Sequence, residues 1–197
     1  MNWYIQYVNS YPIESTMVQF AFLGTFGEII SRWIFKKKLF YPFTFFGTIW
    51  KMFSWSILAA CIKYAFVGTE GYVNALIDHP NALLPLIYRD SPFLHAFAKS
   101  VLINLQFGLF LVIFHRILDN LFVTNKNWNN LDKALFTLIW FWIPILTFVF
   151  FLLPEYYIVL GAIGSVVLGF MLGIFVAKPS KRNRMKKKMV LANYFIL

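Results

Sequence analysis

Long apolar runs with almost no charge recur along the chain, and they constrain it more than any other feature. A bilayer core about 30 Å thick needs roughly 20 apolar residues of helix to cross it. Such runs are read over residues 16–35, 49–67, 97–118, 134–153 and 157–177. Only 13% of residues are charged against 60% hydrophobic, whereas a soluble domain carries about 25% charge to cover its surface. The expected fold class is therefore all-α: a polytopic integral membrane helical bundle of about five transmembrane helices. It forms a single domain over 1–197 with a basic C-terminal tail at 178–197, and the lipid bilayer is its first partner.

Local signals place the ends of these runs. Pro12 and the Glu14-Ser15-Thr16 cluster suit a helix start, and Lys36-Lys37-Lys38 closes the first run. Tyr41-Pro42-Phe43-Thr44-Phe45-Phe46 suits an interfacial aromatic belt before the second. Gly68 and Gly71 are expected to bracket the end of the second run. Residues 69–95, broken by Pro80, Pro85 and Pro92, are expected to hold only short helices lying in the interface. A polar link with asparagines at 125, 127, 129 and 130 separates the third and fourth runs, and Pro154-Glu155 turns the fourth and fifth into a tight hairpin. Pro144, inside the fourth run, should kink it or open its backbone ladder locally.

Charge gives an independent reading of topology. Lys and Arg number 18 against 8 Asp and Glu, a net +10. With five spans, the first link, the third link and the tail share one side and carry twelve of the basic residues; the other side carries only Arg89. The positive-inside rule then places the N-terminus out and the C-terminus in. Seven of the twelve are Lys178, Lys181, Arg182, Arg184, Lys186, Lys187 and Lys188, beside the last apolar run. That placement points to anionic lipid headgroups rather than nucleic acid. The lone Cys61 excludes a disulfide within the chain. The N-terminus has no basic stretch followed by a short apolar core and cleavage site, so no cleavable signal is expected.

Glu28 and Arg32 are the sharpest polar feature. They lie four apart on one face of the first run, where an unpaired charge costs about 3 kcal/mol or more. A pore-lining or gating pair and a structural pair that locks the bundle both fit, and Arg32 is close enough to the lysine run to snorkel to the interface. Gly24, Gly27 and Ser31 share that face and suit close helix approach. The fifth run carries a stripe, Gly161, Ser165, Gly169 and Gly173, with Gly164 beside it, which suits packing within the chain or between subunits, as in a homo-oligomer or membrane complex. Lys51 and Lys63 are placed to reach headgroups from either end of the second run. His115, Arg116 and Asp119 read as an interfacial charge cluster, while Asn104 and Gln106 are deeper and could bond across helices or line a polar path. The three histidines show no paired metal-ligand spacing, and no nucleophile elbow or phosphate loop is present. No catalytic residue, metal or cofactor is expected.

Tyr11-Pro12, Thr16, Gly24 and Gly27-Glu28-Ile29-Ile30-Ser31, with Lys99 and Asn104-Leu105-Gln106, Trp140-Phe141-Trp142-Ile143-Pro144, Phe148, Leu153-Pro154 and Leu172-Gly173, follow one another in an order that resembles the Mpv family of mitochondrial inner-membrane and peroxisomal membrane proteins. Glu28 stands for that family's usual Asp and Arg32 for its usual Gln, and the Asn before the aromatic in the fourth helix is absent. The resemblance implies a small integral membrane protein, of a kind proposed to form channels for small solutes. Glu28, Arg32, Asn104 and Gln106 would then form its polar interior. The alternative is a non-catalytic scaffold or accessory subunit that uses its dense aromatics and the glycine stripe as contact surfaces. A bacterial plasma membrane is the first expected location and a mitochondrial inner membrane the second.

Overall fold

The computed structural model describes residues 2–81, 83–122, 126, 128, 131–152 and 154–177; the basic tail at 178–197 lies outside them. Every regular element among the described residues is helical. A short helix α1 (Asn2–Ser10) precedes α2 (Pro12–Lys36). Tyr11, at φ −131° and ψ 65°, breaks the ladder between them, and Pro12 opens α2 at a position where its missing N–H costs nothing. The Ser15 and Thr16 hydroxyls donate back to the Pro12 carbonyl. Lys37 ends α2 in the left-handed region, φ 51°, with its N–H on Ile34 O.

Helix α3 (Phe45–Asp78) begins at Thr44, whose Oγ1 accepts from the Gly47 N–H at 3.2 Å. Its 34 residues correct the expected boundary at Val67. Gly68 and Gly71 remain inside the helix, since a helical glycine costs only about 1 kcal/mol. Their continuation is held by Val73 and Ile77, which are buried against Ala98 beneath Leu84, Tyr88 and Leu102. Of the short interfacial helices expected before His95, α4 (Ile87–Asp90) is the one formed among the described residues. Arg89 on α4 pairs with Asp78 at the end of α3.

The third apolar run is α5 (Pro92–Ile103), a π-helical turn over Asn104–Gly108, and α6 (Leu109–Asn120). It starts at Pro92 rather than Phe97 because Ser91 caps it, accepting from the Leu94 N–H. The fourth is α7 (Leu131–Thr137), a second π-helical turn over Leu138–Trp142, and α8 (Ile143–Phe151). Pro144 supplies no N–H for the carbonyl four residues back, and the ladder widens into a π turn just before it, the local opening expected there. A 3₁₀ turn at Pro154–Tyr156 leads into α9 (Tyr157–Ala177). Three continuous helical stretches, Phe45–Asp78, Pro92–Asn120 and Leu131–Phe151, are long and apolar enough to cross a membrane.

Contacts fix how the helices run. Lys51 near the start of α3 meets Glu28 late in α2 and Asp119 at the end of α6. At the other end, Glu70 of α3 meets Lys99 of α5, whose ammonium lies over the rings of Phe150 and Tyr157 where α8 ends and α9 begins. The long helices therefore alternate in direction, and α9 lies parallel to α2, with Gly161 beside Phe20 and Ser165 beside Gly27.

Among apolar helices in lipid, close backbone approach replaces water exclusion as the source of adhesion. A Cβ on Gly27 would stand 3.1 Å from Val166 Cα and 3.2 Å from Ser165 O, both backbone atoms, so α2 and α9 touch there without side chains between them. The stripe thus packs within the chain at Gly161 and Ser165. Gly169 and Gly173 lie further along α9, outside the described side chains. Between the two polar ends, Phe20, Ala59, Ile62, Phe66, Ile103 and Leu146 form one apolar core.

Candidate functional site

The largest concentration of chemistry is a charged cluster where α2, α3 and α6 converge. Lys51 Nζ lies 2.8 Å from Glu28 Oε2 and 2.6 Å from Asp119 Oδ1. Its side chain is only 12% exposed, so it is tied into the cluster rather than reaching a headgroup, which corrects its expected role. The Trp55 indole N–H donates to Glu28 Oε1 at 3.0 Å. His115 Nε2 sits 3.5 Å from Glu28 Oε1 and 3.6 Å from Asp119 Oδ1, and its ring lies 4.6 Å from that of Trp55.

Helical spacing builds this site. Lys51 and Trp55 are one turn apart on α3, and His115 and Asp119 one turn apart on α6, so each pair presents together. Glu28 is the shared acceptor from α2. Gly24, one turn before it, leaves room for the Trp55 ring: a Cβ there would come within 2.7 Å of Trp55 Cγ and Cε3. Two carboxylates face one ammonium, giving a net −1 with His115 neutral and zero with it protonated. Glu28, His115 and Asp119 hold one ligand atom each within 4.8 Å of one another, a spacing that could hold a metal ion. The Lys51 ammonium already stands between the two carboxylates and supplies the positive charge there, so the donor set does not favour one.

The four residues expected to form a polar interior are not brought together. Glu28 turns to Lys51 and Trp55 instead of Arg32. Arg32 is exposed with its guanidinium 4.6 Å from the centre of the Phe43 ring, the snorkelling arrangement. Asn104 is buried and donates to the Ser100 carbonyl at 2.8 Å beside its π turn. Gln106 is exposed on the outside of the bundle. Ser100 in turn donates to Ile143 O across to α8, and Thr147 donates to the same carbonyl. These buried polar groups satisfy backbone at the π turns and tie α5 to α8.

A second ion cluster was not legible in advance. Glu70 accepts from Lys99 at 2.7 Å and shares a 2.8 Å hydrogen bond with His95 Nε2. His95 and Lys99 are again one turn apart, which is the signal the sequence carried. Nineteen residues of α3 separate Lys51 from Glu70, about 28 Å at 1.5 Å per residue, close to the thickness of a hydrocarbon core. The two clusters therefore sit at the two ends of the apolar bundle.

A cavity of about 830 Å³ opens beside the first cluster, lined by Lys51 and Asp119 together with Arg32, Phe43, Phe46, Trp50 and Arg116. Compared with known protein families, characterised proteins and solved structures, the chain matches none.

Proposed function

We propose that the chain is a five-span integral membrane protein, N-terminus out and C-terminus in, that passes a small solute or ion. The observation that carries this reading is the Glu28–Lys51–Asp119 cluster, whose Lys51 and Asp119 line the cavity of about 830 Å³. Charged groups within a membrane are costly and are retained where they line or gate a path. The five spans are supported by α2 and α9, of 25 and 21 residues, each long enough to cross, and by their parallel course. The end of α9, from which the basic tail departs, then lies at the same end as Lys36–Lys38. The order of residues that resembles the Mpv family adds to this reading.

In purified protein reconstituted into liposomes, solute or ion flux is expected to exceed that of empty vesicles, and Glu28→Gln should change the selectivity. Rates equal to empty vesicles in both proteins would overturn the proposal. Topology has its own measurement. In a Cys61→Ser background, Lys38→Cys should react with an impermeant thiol reagent only from the inside, and Arg89→Cys only from the outside. Labelling of both from one side would remove the five-span arrangement.

The scaffold or accessory-subunit reading is favoured by one specific observation: the apolar core around Phe20, Ile62, Phe66 and Ile103 fills the space between the two ion clusters. Recovery in a stable heteromeric complex after mild detergent extraction, with no flux, would select it.

A further inference from the structure

The cavity beside the first cluster has a composition that neither pore nor scaffold requires. Two guanidinium groups, Arg32 and Arg116, line it, and among the described residues neither has a carboxylate within ion-pair distance. The nearby anions are already engaged, since Glu28 and Asp119 both hold Lys51. An arginine at a membrane boundary with no acidic partner retains its full capacity for an oxyanion, which it can grip with a planar fork of donors.

Apart from Lys51, Asp119 and Asn120, the rest of the lining is apolar, and part of it faces outward. Phe46 is 81% exposed and Phe122 74%, so the cavity opens sideways towards hydrocarbon rather than only towards water. A second, almost wholly apolar groove of about 560 Å³ shares Ile49 and Phe53 with it. This groove continues between α2 and α3 past Phe22 and Val18 towards Glu14. A basic recess thus runs into a lipid-facing trough along one pair of helices. That is the shape of an amphiphile: an anionic head at the arginines and an acyl chain in the trough.

We propose that Arg32 and Arg116 hold the phosphate of an anionic phospholipid whose acyl chain lies in the α2–α3 groove. The site is distinct from the lysine-rich tail, which would attract anionic headgroups without a fixed stoichiometry. It rests on the bilayer reading but not on solute passage, so a failed flux experiment leaves it standing.

The test is lipid retention by the full-length protein after detergent delipidation, counted by native mass spectrometry with phosphatidylglycerol and phosphatidylcholine as probes. One tightly held phosphatidylglycerol per chain is expected, with phosphatidylcholine not retained. Neutralising the tail lysines should leave that one lipid in place. Arg32→Gln and Arg116→Gln should each weaken retention about tenfold, the loss of one charge-assisted hydrogen bond. Arg32 is exposed with its guanidinium over the Phe43 ring, so Arg32→Gln keeps the fold even where Arg116→Gln does not. Inorganic phosphate at millimolar concentration should not displace the lipid; displacement would assign the arginines to a soluble anion instead. Equal retention in wild type and Arg32→Gln, or loss on neutralising the tail alone, would overturn the proposal.

Discussion

Lys51→Met is expected to destabilise the bundle by about 3–5 kcal/mol. Methionine matches the lysine stem in length, so packing is little changed and the loss is electrostatic. It leaves Glu28 and Asp119, 19% and 23% exposed, as two anions facing each other without the ammonium that lies within 2.8 Å of both. Breaking a buried ion pair from one side costs more than removing it whole, because the remaining charge keeps its desolvation penalty. The triple variant Lys51→Met, Glu28→Gln, Asp119→Asn should therefore recover most of the lost stability. Unfolding in mixed detergent, followed by helical circular dichroism, measures both. A single variant as stable as wild type would mean that water reaches the cluster freely and that it is no lock. The same substitution at Lys99 should matter less, since its partner Glu70 is 44% exposed and solvent screens the carboxylate left behind.

The helical class of this chain was legible because lipid leaves little choice. Backbone groups in hydrocarbon must bond within their own segment, so an apolar run of sufficient length is a helix whatever its detailed residues. The start of α2 was readable for a local reason as well, Pro12 in its first turn, whereas the third run begins at Pro92 and not at the expected Phe97. The ends of α3 were not readable either. Gly68 and Gly71 carry a breaking signal in water, but burial of Val73 and Ile77 outweighs it, and that contact depends on helices not adjacent in sequence.

The site divides in the same way. His115 and Asp119 were readable as a pair because they share a helix face. Glu28 was readable as a costly charge needing a partner. Which partner it takes depends on the approach of α3, and Arg32, four residues away, was the nearer candidate by sequence alone. Lys51 wins because α3 brings it to the buried side of α2 while Arg32 reaches out to Phe43. One-turn pairs of a basic residue with an aromatic or histidine, Lys51 with Trp55 and His95 with Lys99, recur in both clusters, but which carboxylate each meets depends on helices distant in sequence.

Gly24 shows how far the lock depends on a residue with no side chain. Gly24→Ala is expected to cost about 1–3 kcal/mol, the usual penalty of overpacking a filled site. The added methyl would fall on the root of the Trp55 indole, at Cγ and Cε3, rather than on a movable tip. The indole has nowhere to go, since it lies against His115 on one side and Phe20 on another. Its N–H must leave Glu28 Oε1, which removes a neutral donor from a carboxylate that already shares its ammonium with Asp119. The cost should therefore be coupled to the ring. In a Trp55→Phe background, where the smaller ring can yield and makes no hydrogen bond to lose, Gly24→Ala should cost well under half as much. That difference is a coupling energy, read from the four unfolding curves of a double-mutant cycle. Equal costs in both backgrounds would show that the methyl disturbs the α2 backbone alone and that Trp55 does not depend on the gap Gly24 leaves.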